Sequence, residues 1–259
     1  PGSPGPLACR LPDRLGSFAH CRSGRLLLGL AKRLALATLG DHLELVQLQT
    51  LAPVDAAEPR TRINDGRTDR GGRFVFGTLN EARERQPKST IASFYQFSLQ
   101  RGLRRLALPA VAIANSICFS LDGRTMYFCD TLSRRIQQCD YDSETAQVDR
   151  VRPFTEMDHA DAWPDGSVVD AEGCLWNAQW GAGRIVRYDP EGRPMAVYDA
   201  PAAHATCPAI GGEGLDELML TTARAELGRE ALAAQPRSGS LFGLHLPGRL
   251  GVTDAVFED

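Results

Sequence analysis

The chain has 259 residues, 43% of them hydrophobic and 24% charged, with a formal net charge of −3. This is the make-up of an ordinary globular protein, long enough for one large domain or two small ones. Lysine and arginine are dispersed among the acids rather than gathered in a stripe, which argues against nucleic acid and anionic membrane as partners.

The opening segment PGSPGPLACRLP has no charged region followed by an apolar one. No signal peptide is read there, and the cytoplasm is the expected compartment. The longest apolar stretch, Leu26 to Leu39, is broken by Lys32 and Arg33 and is too short to span a bilayer. Seven cysteines, an odd number with no CxxC pair, sit mostly inside apolar runs. Cys129 and Cys139 could meet across a hairpin, but reduced core thiols are the expectation.

Along the chain a turn glycine precedes an apolar run again and again. Gly24 leads into LLLGL, Gly72 into FVFGT, Gly123 into TMYFCD and Gly173 into LWNAQW, each roughly fifty residues after the last. A looser fifth copy places Gly214 ahead of LMLTTA. Each unit carries short apolar strands bounded by Gly, Asp, Pro and Asn. Arg184 to Tyr188 before the turn Asp189-Pro190-Glu191-Gly192, and Ile136 to Tyr141 before Asp142-Ser143-Glu144-Thr145, show the pattern. Leu26 to Leu39 fits the same phase as two strands joined around Ala31-Lys32. Only Glu226 to Gln235 has real helix propensity. Units of this length, each unable to bury its own face, predict an all-β propeller of four-stranded blades. No linker divides the chain, which reads as one domain over residues 1–259.

Polar groups near the starts of repeat strands would ring a central channel. Asn64, Asn115 and Asp165 each lie eight residues before a repeat glycine, so the three are expected to converge on one axis. Two amide oxygens and a carboxylate suit a hard divalent cation or a polyhydroxylated ligand. Taken singly, each would more often cap a turn by bonding its own backbone. The five histidines show no HxH or HExxH spacing, and neither a GxSxG elbow nor a phosphate loop is present. Trp163, Trp176 and Trp180 could wall a sugar pocket, although Trp176 lies in a strand and reads as packing. Thr206 or Cys207 could reach the channel, with a buried structural cysteine the commoner outcome.

Three segments also carry a resemblance. RINDGRTDRGGRFVFGTLNE, IANSICFSLDGRTMYFCDTLSRRIQQCDYD and PDGSVVDAEGCLWNAQWGAGRIVRYDPEG, in that order, resemble the gluconolactonase and regucalcin (senescence marker protein) family of sugar lactonases. The wording is nearest to bacterial L-arabinonolactonases. The resemblance runs from about Leu7 to about Leu246. It implies a six-bladed propeller holding one divalent ion (Ca²⁺, Zn²⁺, Mg²⁺ or Mn²⁺) that hydrolyses a sugar lactone.

By motif matching, Asn115 (from an Asn-Gly pair, here Asn-Ser) and Asp165 would be metal ligands. Asp165 would also act in catalysis, and Arg62, Asn64 and Glu81 would bind substrate. Asp130 would face the same channel or cap its strand. The family's further ligand, a glutamate in Gly-Glu-x-Pro-x-Trp, has no counterpart here. Leu11 to Ala19 instead resembles the stretch after the first blade, so most of that blade is expected to be absent, leaving two unpaired sheet edges. The rival readings are a non-catalytic calcium- or ligand-binding propeller and an inactive truncated lactonase.

Overall fold

A computed structural model of the chain describes residues 8–82 and 88–259. Part of the opening segment therefore lies outside the described residues. The others form an all-β propeller of five antiparallel sheets, each a simple meander in chain order. Blade 1 comprises β1 (Leu15–His20), β2 (Leu26–Leu30), β3 (Arg33–Leu39) and β4 (Leu45–Pro53). Blade 2 comprises β5 (Thr61–Thr68), β6 (Phe74–Asn80), β7 (Phe94–Ser98) and β8 (Gly102–Arg105). Blade 3 comprises β9 (Ala114–Phe119), β10 (Thr125–Asp130), β11 (Arg135–Asp142) and β12 (Gln147–Glu156). Blade 4 comprises β13 (Trp163–Val169), β14 (Leu175–Trp180), β15 (Arg184–Tyr188) and β16 (Pro194–Asp199). Blade 5 has three strands, β17 (Ala205–Gly211), β18 (Glu217–Thr222) and β19 (Leu241–His245). A short helix, α1 (Arg229–Ala234), lies inside the predicted 226–235 stretch. No helix among the described residues is long and apolar enough to cross a membrane.

The repeat glycines perform the expected local task. Gly24, Gly72, Gly123 and Gly173 all have φ between 72° and 84°, a region that costs residues with a Cβ. In the fifth unit the turn glycine is Gly212 (φ 81°), not Gly214. Leu26 to Leu39 splits around Ala31-Lys32 into β2 and β3, paired in register from Leu26↔Ala37 to Leu30↔Arg33. Each sheet buries apolar residues on the faces that meet its neighbours. Leu27, Leu34 and Leu36 of blade 1 pack on Ile63, Phe74 and Phe76 of blade 2. Val75 and Phe94 meet Phe119, Met126 and Phe128 across the next junction. Trp176 and Ile185 meet Ile210, Leu218 and Leu220 across the last. A blade isolated from its neighbours would leave these faces wet, which is why the repeat folds only as a stack.

The inner strands β1, β5, β9, β13 and β17 follow one another around a central channel. Between β17 and β1 there is no comparable packing, so the ring shows five blades and not the six that the family resemblance implied. β1 and β19 are end strands of the first and last sheets, each with one hydrogen-bonded neighbour. Phe18 on β1 is 51% exposed and Leu241 on β19 is 58% exposed.

What joins the two sides is the C-terminal segment. It leaves blade 5 where the Gly251 amide donates to the Leu215 carbonyl, and ends with Phe257 paired to Cys21 beside β1. On its way Asp254 bonds Arg67 at 2.7 Å, beside a cavity of about 10 Å³ at the far ends of β5, β9 and β13.

Turn carboxylates hold the outer hairpins. Asp142 accepts from the amides of Glu144 (2.8 Å) and Thr145 (3.2 Å), and Asp189 from those of Glu191 (3.0 Å) and Arg193 (2.8 Å). The Thr145 and Arg193 amides are the main reason that these two carboxyls lie below their usual range. Asp122 is lowered chiefly by the Ser120 hydroxyl. A carboxyl whose pKa is depressed by folding stabilises the fold above its unfolded pKa, and that stability is lost as pH falls through the folded value. Through these three carboxyls the melting temperature is expected to fall on acidification below about pH 4. A melting temperature unchanged down to about pH 2.5 would show that these bonds contribute nothing.

Candidate active site

The inner strands share a feature that no linear pattern announces. Three of them bulge at equivalent points, where two residues oppose one on the partner strand. Asn64 and Asp65 stand against Gly77, Ser116 and Ile117 against Phe128, and Asp165 and Gly166 against Ala178. A bulge breaks the strict alternation of a strand and re-aims side chains, here at the channel. The ladders of β1 and β17 also shift, at Gly16 and Thr206. The predicted site residues Asn64, Asn115 and Asp165 thus sit at, or beside, these bulges.

A hydrogen-bonded chain joins them across three blades. Arg62 Nε donates to Glu81 Oε1 (3.1 Å), and its Nη1 donates to the Ile63 carbonyl (2.8 Å) and to Asn64 Oδ1 (3.3 Å). Asn64 Nδ2 donates to Asn115 Oδ1 (2.7 Å) and to the Ala114 carbonyl (3.0 Å). Asn115 Nδ2 donates to Thr131 Oγ1 (2.9 Å), whose hydroxyl donates to the Pro164 carbonyl (2.9 Å), one residue before Asp165. Both amides are therefore oriented with nitrogen committed to protein, so the oxygen of Asn115 is fixed and keeps a lone pair beyond the one that Asn64 uses.

Glu81 is engaged by two arginines. Arg14 and Arg62 both form ion pairs with it, Arg14 Nη2 lying 2.8 Å from Oε2. These two arginines hold its carboxyl below the usual range against the opposing effect of burial. Its direct effect is to fix Arg62. Asp130 caps the turn after β10, accepting from the amides of Ala112 (3.0 Å), Ile113 (3.1 Å) and Leu132 (3.2 Å). Trp176 is fully buried and donates its indole N–H to Asp170 (2.8 Å), so it packs rather than lining a pocket. Thr206 pairs its hydroxyl with that of Thr221 (2.7 Å), and all seven cysteines are free.

Asp65 is the residue that the motif contained but sequence reasoning did not single out. Its Oδ2 accepts from the Ile117 amide of the next blade at 2.7 Å. Burial raises its pKa, opposed by that amide and by Arg67. Burial also raises Asp165 well above the ordinary carboxylate range, and the neighbouring charge of Asp65 adds to the shift. Two carboxyls that burial pushes toward neutrality, one of them further raised by the other's charge, mark a place where a cation would be favourable.

The donor set, Asn115 Oδ1 with the carboxylates of Asp65 and Asp165, is oxygen only and fits a hard divalent ion in kind. Elsewhere, Asp170, Glu172 and Cys174 bring ligand atoms within 4.8 Å of one another. There the Arg187 guanidinium already pairs with Asp170 at 2.7 Å and also bonds Glu172, so the charge a metal would neutralise is met.

Comparisons with known proteins bear on the family and the fold. A family model described as "SMP-30/Gluconolactonase/LRE-like region" matches residues 7–224. The chain is 44% identical over 235 residues to an L-arabinolactonase of Azospirillum brasilense, covering 90% of this chain and 74% of the relative. It is 30% identical to regucalcin of Xenopus laevis, covering 94% and 80%. The solved structure of a calcium-binding protein, regucalcin, from Agrobacterium tumefaciens superposes with a TM-score of 0.84 at 31% identity, over 95% of this chain and 80% of that one. The fold, the order of the motifs and these matches together place the chain in the SMP-30/gluconolactonase/regucalcin family.

Proposed function

We propose that this protein hydrolyses a sugar lactone to its aldonic acid with the help of one divalent ion, Ca²⁺, Mg²⁺, Mn²⁺ or Zn²⁺. L-arabinono-1,4-lactone is the first substrate to try, because the relative at 44% identity is an L-arabinolactonase. D-gluconolactone is the second. What supports the reading is the hydrogen-bonded run from Arg62 through Asn64 to Asn115, set among bulges on consecutive inner strands that also carry Asp65 and Asp165.

Opening a lactone requires a polarised carbonyl, an activated water and somewhere for charge to go. A bound divalent ion supplies Lewis acidity and lowers the pKa of water beside it. Asn115 Oδ1 and the Asp165 carboxylate would hold that ion. Asp165 would also accept the proton of the attacking water, which is the work of a positioned base. Arg62 is steadied by Glu81 on one side and by the Ile63 carbonyl on the other. From there its guanidinium would orient ring oxygens and stabilise the developing oxyanion. Asn64, locked between Arg62 and Asn115, would hold a substrate hydroxyl or a water.

A non-catalytic calcium-binding propeller is the second reading, favoured by the likeness to a solved calcium-binding regucalcin. Indicator or pH-stat hydrolysis of L-arabinono-1,4-lactone and D-glucono-1,5-lactone, with and without added Ca²⁺, Mn²⁺ and Zn²⁺, separates the two. Metal-dependent hydrolysis supports the lactonase. Calcium binding with no turnover of any aldonolactone sinks it in favour of the binding protein.

A further inference from the structure

Asn177 sits on β14 directly opposite Ser167 and is completely buried. Its Nδ2 lies 3.0 Å from Ser167 Oγ, 3.2 Å from Ser116 Oγ, 3.2 Å from the Gly166 carbonyl and 3.3 Å from the Asp165 carbonyl. With carbonyls on that side, the amide has one sensible orientation, nitrogen toward Asp165-Gly166. Its Oδ1 has no partner among the described residues. An unpartnered buried acceptor costs stability, and an aliphatic side chain of similar size would avoid that cost. The residue is thus poorly explained as packing.

Ser116 completes the arrangement from the neighbouring blade. Its hydroxyl donates to the Asp165 carbonyl at 2.6 Å, and its backbone occupies the left-handed region at φ 59°. That conformation is unfavourable for serine and natural for glycine. On the opposite side β17 closes in. A Cβ on Gly166 would stand 2.8 Å from Cys207 Sγ and 2.9 Å from the Thr206 carbonyl oxygen. The bulged Asp165-Gly166 segment is therefore gripped from blade 3, from its own blade and from blade 5.

We infer that Asn177, acting with Ser116, is a positioning residue that fixes the Asp165 main chain and so aims its carboxylate at the divalent ion. Both residues touch the backbone of Asp165 and neither is placed to touch substrate. The inference rests on the reading of Asp165 as a metal ligand. It adds that two costly local choices, a serine in left-handed backbone and an amide with a bare buried oxygen, are kept because they set ligand geometry. Supporting partners of this kind typically change metal affinity or activity by about 10- to 100-fold when removed.

The test uses the full chain and the variants N177V and S116G, with Mn²⁺ as the titrated ion in calorimetry and L-arabinono-1,4-lactone as substrate. N177V is expected to melt close to the parent temperature and to bind Mn²⁺ about 10-fold or more weakly. Its kcat should fall by a similar factor while KM, set by Arg62 and Asn64, stays within about 2-fold. S116G, whose backbone suits the turn, should fold even if N177V does not, and should weaken Mn²⁺ binding by a smaller factor. Parent-like Mn²⁺ affinity and kcat in a folded S116G and a folded N177V would overturn the inference alone. A parent chain that neither binds Mn²⁺ nor hydrolyses the lactone would overturn the lactonase reading and the inference with it.

Discussion

Asp165→Ala is expected to abolish metal-dependent lactone hydrolysis and metal binding while leaving the propeller folded. The hydrogen bonds that tie this residue to Ser116 and Asn177 go to its main-chain carbonyl, which alanine keeps. Removing the side chain relieves the repulsion that Asp65 exerts on it. Without metal, the melting temperature of the variant should equal or exceed that of the parent. With saturating metal, the parent should gain stability by mass action and the variant should not. Metal-assisted polarisation is worth several kcal/mol, and each ~1.4 kcal/mol is tenfold in rate. Hydrolysis should accordingly fall by about 1,000-fold or more. Metal-dependent turnover retained in Asp165→Ala would remove this residue from both its roles.

Phe257→Ala should produce the largest loss of stability from a single change far from the site. The ring is fully buried, stacks on Phe97 with centroids 5.9 Å apart, and lies in the core between blades 1 and 2. Its amide donates to the His20 carbonyl at 2.8 Å and its carbonyl accepts from the Arg22 amide at 3.0 Å. Beyond it, Glu258 pairs with Arg22 and Asp259 with Arg25. The Arg22–Glu258 pair is exposed on both partners and adds little, whereas Asp259 is buried against Arg25 and supports the segment beside the ring.

Truncating a buried phenylalanine costs about 3–5 kcal/mol. In a domain of this size that corresponds to a drop of about 10 °C or more in melting temperature. Because the segment spans from blade 5 to blade 1 across the opening, urea unfolding should also lose cooperativity. A shift under about 1 kcal/mol would show that the C-terminal segment contributes no more than a surface strand does.

Most of the architecture was legible in linear order because propeller blades are local objects. Each hairpin closes within a few residues, its turn needs positive φ, and glycine at 24, 72, 123 and 173 supplies it. Strand periodicity then follows from which side chains face the next blade. Recurrence of the unit set the phase that put Asn64 and Asp165 in bulges and Asn115 beside one, and the resemblance attached chemistry to them. The one mistaken turn glycine, Gly214 for Gly212, arose where the fifth unit has the loosest wording.

What composition and spacing could not supply depends on register between strands and contact between blades. Asp65 shares a motif with Asn64, but on a regular strand neighbours point to opposite faces. Only the bulge against Gly77 lets both serve the channel, and a bulge is a property of two paired strands, not of one. The pairing of Glu81 with Arg14, far away in sequence, was likewise invisible in linear order. Asn177 reads as an interior strand residue, and its grip on Asp165 exists only because β14 and β13 lie side by side with Ser116 reaching across from blade 3.

The sequence by itself determined the all-β repeat and its turns, since these depend on local backbone preference and residue type. The tertiary structure alone decided the bulges of the inner strands, the contacts between blades and the closure by the C-terminal segment. Those follow from long-range packing and strand register, where a shift of one residue would turn every side chain to the opposite face.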